Sequence, residues 1–276
     1  MQHIDKASDV GLVKRRIHLV QDAERAGTEL EYRQQQGHGG QGLLAARQEL
    51  HRLGALARRL GEAYLQQGNF SGALKEFKKA EKKNPNDHLL QYDLGLLYAL
   101  RERYDEAILH YKKALELSPA YGAAMNGLGN AYAGKKEWDQ AILYYRKVIN
   151  DILYATPHFA YTGLGNAYYY KGDLQRSEKN YLQALKIKPD FVRALQGLSE
   201  TYIAMGRVPE AVEKLEKAVR LFPESAPLHF QLARAYQLAL EFEKAYRSYQ
   251  KVIELAPETG LADQAAEGAA EVKKYL

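Results

Sequence analysis

The chain has no cysteine, which excludes disulfides, thiol nucleophiles and thiolate metal sites together. It has only eight prolines, and most recur at one spacing, as punctuation would. No stretch approaches the roughly 18 apolar residues that a membrane-spanning helix needs. The opening Met1-Gln2-His3-Ile4-Asp5-Lys6 lacks the apolar core of a signal peptide. Charge of one sign is nowhere concentrated. The net charge of +5 comes from 39 Lys and Arg against 34 Asp and Glu, with no run of five alike. A nucleic-acid binder would gather its positive charge on one stripe or tail, so no nucleic-acid partner is expected.

Signs of catalysis are also missing. The histidines His3, His18, His38, His51, His88, His110, His158 and His229 are scattered without ligand spacing. The run Gly37-His38-Gly39-Gly40-Gln41-Gly42 follows no strand and ends in no Lys-Ser or Lys-Thr, so it reads as a linker rather than a phosphate loop. Carboxylates sit among Lys and Arg on helix faces, where pairing four residues apart is the ordinary explanation. No enzyme activity, cofactor or metal is expected.

What is present is a period of 34 residues. The pair Leu60-Gly61 returns as Leu94-Gly95, Leu128-Gly129, Leu164-Gly165, Leu198-Ser199 and Leu232-Ala233. Tyr64, Tyr98, Tyr132, Tyr168, Tyr202 and Tyr236 follow at position 11. Small residues hold position 20 (Ala73, Ala107, Ala141, Ser177, Ala211, Ala245), and bulky ones position 24 (Phe77, Tyr111, Tyr145, Tyr181, Leu215, Tyr249). Ala or Val fills position 27. Proline closes each unit at position 32, except where Leu153 stands. At 3.6 residues per turn, positions 4, 7, 8 and 11 fall within roughly 100° and make one packing stripe. Small residues at 8, 20 and 27 let two helices approach, the ring at 24 fills the space between units, and the proline ends the second helix.

This pattern resembles the tetratricopeptide repeat over residues 54 to 259. The resemblance implies an all-α, right-handed superhelical solenoid of six helix-turn-helix repeats: 54–87, 88–121, 122–157, 158–191, 192–225 and 226–259. Residues 260–276 read as a capping helix, 1–36 as an N-terminal helical segment, and 37–53 as a glycine-rich linker with a lead-in helix.

By the same resemblance, positions 2, 5, 9, 12 and 13 of each first helix line a concave groove that binds protein or peptide partners. Solvated, charged residues are the bland expectation there, and Arg58, Glu62 and Gln66 of the first repeat meet it. Later repeats do not. They place Leu89, Tyr92, Leu96 and Leu100, then Asn126 and Asn130, then Phe159, Asn166, Tyr169 and Tyr170 on this face. Apolar side chains held out of the core at this density point to an interface, and amides can both donate to and accept from a partner backbone. Two alternatives stay open: occupation by the chain's own N-terminal helix, or rings simply tolerated at the surface. The clamp that one subclass uses for C-terminal carboxylates is represented only by Asn130, Asn166 and Arg193.

The third unit runs to 36 residues and inserts Asn150-Asp151-Ile152-Leu153-Tyr154-Ala155-Thr156-Pro157. Six repeats with this insertion resemble the type IV pilus pilotins, outer-membrane lipoproteins that assist secretin assembly. The resemblance implies a secretin subunit as partner and a lipid anchor in the native form. A chain cut after a lipidated cysteine would then lie on the periplasmic face of the outer membrane. A general adaptor scaffolding an enzyme or chaperone complex would be cytoplasmic.

Overall fold

The computed structural model describes residues 40–151 and 154–276. Among them are thirteen α-helices and no strand. Two compact units divide at Gly134 and Lys135. The first contains α1 (Gly40–Gln66), α2 (Phe70–Lys83), α3 (His88–Leu100), α4 (Tyr104–Leu117) and α5 (Gly122–Gly134). The second contains α6 (Trp138–Ile149), α7 (Pro157–Tyr170), α8 (Leu174–Ile187), α9 (Val192–Ala204), α10 (Val208–Leu221), α11 (Ala226–Leu238), α12 (Phe242–Leu255) and α13 (Gly260–Val272). Within each unit every helix packs on the next.

The repeating residues explain these elements. Helices α2, α4, α8, α10 and α12 all stop two residues before Pro85, Pro119, Pro189, Pro223 or Pro257. The residue preceding a proline is pushed out of the helical region, so the helix must end there. Asn69 and Asp173 each cap the helix they precede, accepting from Gly72 N at 2.9 Å and Arg176 N at 3.0 Å. All six leucines of the Leu-Gly pattern, all six residues at position 20 and all six at position 24 are buried.

The large rings at position 24 lie against glycines, two of them between a pair. In the first unit a Cβ at Gly95 would lie 2.6 Å from the Tyr111 ring, and one at Gly127 equally close on the other side. In the second unit Tyr145 covers Gly163, and Tyr181 sits between Gly165 and Gly197. The glycine one repeat further on, at position 6, is therefore as necessary as the one at position 8. Tyr249 meets Gly268 of α13 in the same way. Helix α13 buries Ala265, Ala269 and Val272, and Tyr275 beyond it stacks on Phe242 at 4.7 Å.

The linker expectation needs correction. Gly40, Gln41 and Gly42 form the first turn of α1, and the lead-in helix runs without a break into the first repeat as 27 helical residues. Glycine costs a helix interior about 1 kcal/mol, but in the first turn Gly40 and Gly42 do not keep the helix from starting. Residues 37–39, like the N-terminal segment 1–36, lie outside the described residues.

The turn between the helices of a repeat needs a left-handed residue at position 15. Gly68, Gly172 and Gly206 supply it at φ of 72°, 77° and 74°, but Glu102, Lys136 and Leu240 occupy it at 58°, 62° and 59°. A side chain there costs roughly 1–2 kcal/mol, of which glycine's extra chain entropy returns part. Leu240 is 71% exposed and has little packing to lose. Leu240→Gly should therefore stabilise the protein by about 0.5–1 kcal/mol, read as a higher denaturation midpoint.

Candidate partner-binding surface

The first unit presents α3 and α5. Leu89, Tyr92 and Leu96 of α3 are half-buried and Leu100 is exposed. Tyr92 is less free than its wheel position implies. Its ring packs 5.8 Å from the core ring of Tyr111 and edge-on to Tyr121 at 5.3 Å, so it serves the fold as well as the surface. Tyr121 in turn meets His88 edge-on at 5.2 Å, and its hydroxyl is pushed up to about 12, mainly by burial. On α5, Asn126 is half-buried, and its Oδ1 has no hydrogen-bond partner among the described residues. An unsatisfied acceptor of this kind is costly unless a donor reaches it. Asn130 is exposed and already interacts within the protein.

The polar first repeat departs from its expected solvated state. Arg58 is only 14% exposed at its side chain. It hydrogen-bonds Glu62 on its own helix and Asp93 of α3 at 3.1 Å, and its Nε lies 3.6 Å from Asp87. Asp87 also caps α3, accepting from Leu89 N at 2.9 Å. One guanidinium thus serves three carboxylates and ties the first repeat to the second. Burial, then the neighbouring Glu62, raises the Asp93 carboxyl to about 7, although Arg58 opposes this. Asp93 stands at position 6, which glycine fills as Gly127, Gly163 and Gly197 in the three following repeats. The facing residue at position 24 is Phe77, which has no hydroxyl to accommodate. Arg58 and Glu62 are therefore structural, not freely solvated.

The second unit presents α7, α9 and α11. Phe159 is 40% exposed and packs against His158 at 4.4 Å and edge-on to Phe191 at 5.2 Å. Asn166 is exposed. Tyr170, 60% exposed, stacks on Trp138 at 4.8 Å and meets Tyr169 edge-on at 5.4 Å. Trp138 is the only tryptophan in the chain, which makes this stack a built-in optical reporter.

A cavity of about 280 Å³ opens beside Tyr169, continuing this face onto α9 and α11. Its floor is Leu215, its apolar walls are Tyr169, Ile203 and Leu238, and its charged groups are Glu200 and Arg234. Glu200 is exposed, yet surrounding protein partly desolvates its carboxyl and raises its pKa, with Arg234 acting in the opposite sense. The groove residues named from the sequence end at Tyr170 of the fourth repeat and do not include this cavity. The signal was present: position 24 carries leucine here in place of a ring, and position 6 of the next repeat carries Gln231 in place of glycine. Among the described residues, no group of His, Asp and Glu is arranged to hold a metal ion, and no helix is long and apolar enough to cross a membrane.

Comparison with known proteins agrees with the repeat. A family model described as tetratricopeptide repeat matches residues 58–122, 162–226 and 197–258, and a second of the same description matches 98–152. Hsp70-Hsp90 organizing protein 3 of Arabidopsis thaliana is 32% identical over 93 residues, which is 34% of this chain and only 17% of that protein. Among solved structures, PilW, described as a widely conserved type IV pilus biogenesis factor, has a TM-score of 0.72 at 18% identity, covering 78% of this chain and 98% of its own. Pseudomonas aeruginosa pilF has a TM-score of 0.67 at 16% identity, over 80% of this chain and 98% of its own. Identities this low show the fold alone. With most of its length matched by the family model, the chain belongs to the tetratricopeptide repeat family, as a protein-interaction scaffold.

Proposed function

We propose that this chain is a non-catalytic scaffold that binds a segment of a partner protein along the exposed faces of its first helices, and that it serves as an assembly factor for a type IV pilus secretin. The observation that carries the binding reading is the set of apolar groups held outside the core, above all Phe159 and Tyr170. Rings on such a face supply apolar area to an interface. The pilus reading is supported by the likeness in fold to PilW and pilF, nearly all of whose length is covered, and by the insertion at 150–157. It implies a lipid anchor in the native protein and a place at the periplasmic face of the outer membrane.

The 32% identity to an Hsp70-Hsp90 organizing protein favours a second reading, a cytoplasmic adaptor for an enzyme or chaperone complex. Capture of partners from the native organism, combined with membrane fractionation, separates the two. Recovery with outer membranes and a secretin subunit, with capture reduced by Phe159→Ala and Tyr170→Ala, is the expected result. Recovery with soluble chaperones would replace the pilus reading by the adaptor. Capture unchanged in both variants would remove the face itself.

A further inference from the structure

The cavity of the second unit exists because one internal ring is missing. Around Tyr145 and Tyr181 the ring at position 24 lies over a glycine at position 6 of the next repeat. In the fifth repeat the corresponding residue is Leu215, which lacks both the ring and the hydroxyl and is fully buried at the cavity floor. Gln231 replaces the facing glycine, and its Oε1 is already engaged by Gln196 Nε2 at 2.9 Å. The space a tyrosine would fill stays open toward the surface.

At about 280 Å³ the cavity sits at the lower edge of the usual 300–1,000 Å³ range of sites for whole small molecules. One large side chain suits it better. Tyr169, Ile203, Leu238 and Leu215 offer an inserted ring aromatic and branched aliphatic surface. Glu200 and Arg234 bring opposite charges to the same opening, and neither forms a hydrogen bond or an ion pair with another side chain among the described residues. Arg234 offsets Glu200 only in part, so an uncharged ligand would leave both without a close partner, and a ligand of one sign would be repelled by one of them.

We propose that this cavity is a specificity pocket for a partner peptide, receiving one aromatic side chain flanked by a basic residue that faces Glu200 and an acidic residue that faces Arg234. The proposal rests on the scaffold reading above and deepens it. The guest ring takes the place of the tyrosine that the fifth repeat lacks. The flanking charges set selectivity more than affinity, because both protein groups sit at the surface.

The test uses the full chain and fluorescein-labelled synthetic peptides containing Lys-Phe-Glu or Glu-Phe-Lys, since the direction of the chain is free. Comparison peptides contain Lys-Phe-Lys, Glu-Phe-Glu, Gln-Phe-Gln and Lys-Ala-Glu. By fluorescence anisotropy the better mixed-charge peptide should bind about threefold to tenfold tighter than either like-charge peptide, and tighter than the alanine peptide by at least as much. Glu200→Gln should abolish the preference over Glu-Phe-Glu, and Arg234→Gln the preference over Lys-Phe-Lys. Both substitutions are at exposed positions, so folding is retained.

The triple variant Leu215→Tyr with Gln231→Gly and Ser199→Gly rebuilds the packing of the fourth repeat, where the ring lies between two glycines. It should melt no lower than the parent and lose the peptide. Binding that ignores the ring or the charges, no saturation by either mixed-charge peptide, or undiminished binding by a folded filled variant would each overturn the proposal. The captured partner separates the two levels. If it ignores the pocket variants but is weakened by Phe159→Ala, the pocket assignment falls and the scaffold reading stands. If it ignores both sets, the scaffold reading falls.

Discussion

Arg58→Ala should destabilise the first unit by about 3 kcal/mol at neutral pH, because it strips the one cation from a partly buried group of acids. Glu62 and Asp93 would then face each other without a counter-charge, and Asp87 would lose part of its anchor. The loss should depend on pH with a definite sign. In the parent protein Asp93 is already raised to about 7, so the folded state keeps a proton that the unfolded chain releases near pH 4. Stability contributed by that proton is greatest at low pH and disappears as pH climbs from about 4 through 7. Removing Arg58 raises the carboxyl further. The variant should therefore lie closest to the parent near pH 5 and furthest from it near pH 8. Asp93→Asn should flatten the parent's dependence across this range. Chemical denaturation at several pH values reads both effects, and a loss for Arg58→Ala that is the same at pH 5 and pH 8 would show that the acids are not sharing a proton.

Tyr181→Ala should cost about 3–5 kcal/mol, the range for deleting a large core ring. The ring is almost fully buried between Gly165 of its own repeat and Gly197 of the next, so no neighbouring side chain can collapse into the space. In a repeat array the loss should be local, since each unit contacts only its neighbours. Amide exchange should accelerate most in α8 and α9. Leu109→Ala, at a leucine left 65% exposed on α4, serves as the comparison and should change stability by no more than about 0.5 kcal/mol. Equal midpoints for the two would mean that the helix faces have been misassigned.

Repetition made the fold readable. A residue that returns every 34 positions reports its environment several times over, so the buried faces of α2 to α12 and the proline stops followed from the pattern alone. Features that break the repetition were harder to see. Asp93 and Gln231 both occupy position 6, where the intervening repeats carry glycine. One builds the Arg58 network and the other, opposite Leu215, borders the cavity. Reading the departures at position 6 together with position 24 would have exposed both. Tyr92 was misjudged for a different reason. A helical wheel gives direction only, and the aromatic neighbours Tyr111 and Tyr121 come from the following helix and turn. Gly40 and Gly42 misled because glycine was read as a helix breaker, whereas in a first turn it interrupts nothing.

The central claim is that the faces bearing Phe159 and Tyr170 hold a partner. Calorimetric titration of the captured partner into the parent, Phe159→Ala, Tyr170→Ala and Leu143→Ala proteins tests it most directly. Leu143 is also exposed and apolar, but it belongs to α6, the second helix of its repeat, so it controls for stickiness alone. Affinity should weaken by about 1–3 kcal/mol in each aromatic variant and stay unchanged for Leu143→Ala, with melting temperatures close to the parent throughout. Unchanged affinity in the two aromatic variants, with a loss at Leu143→Ala, would contradict it and place the partner on the opposite helices.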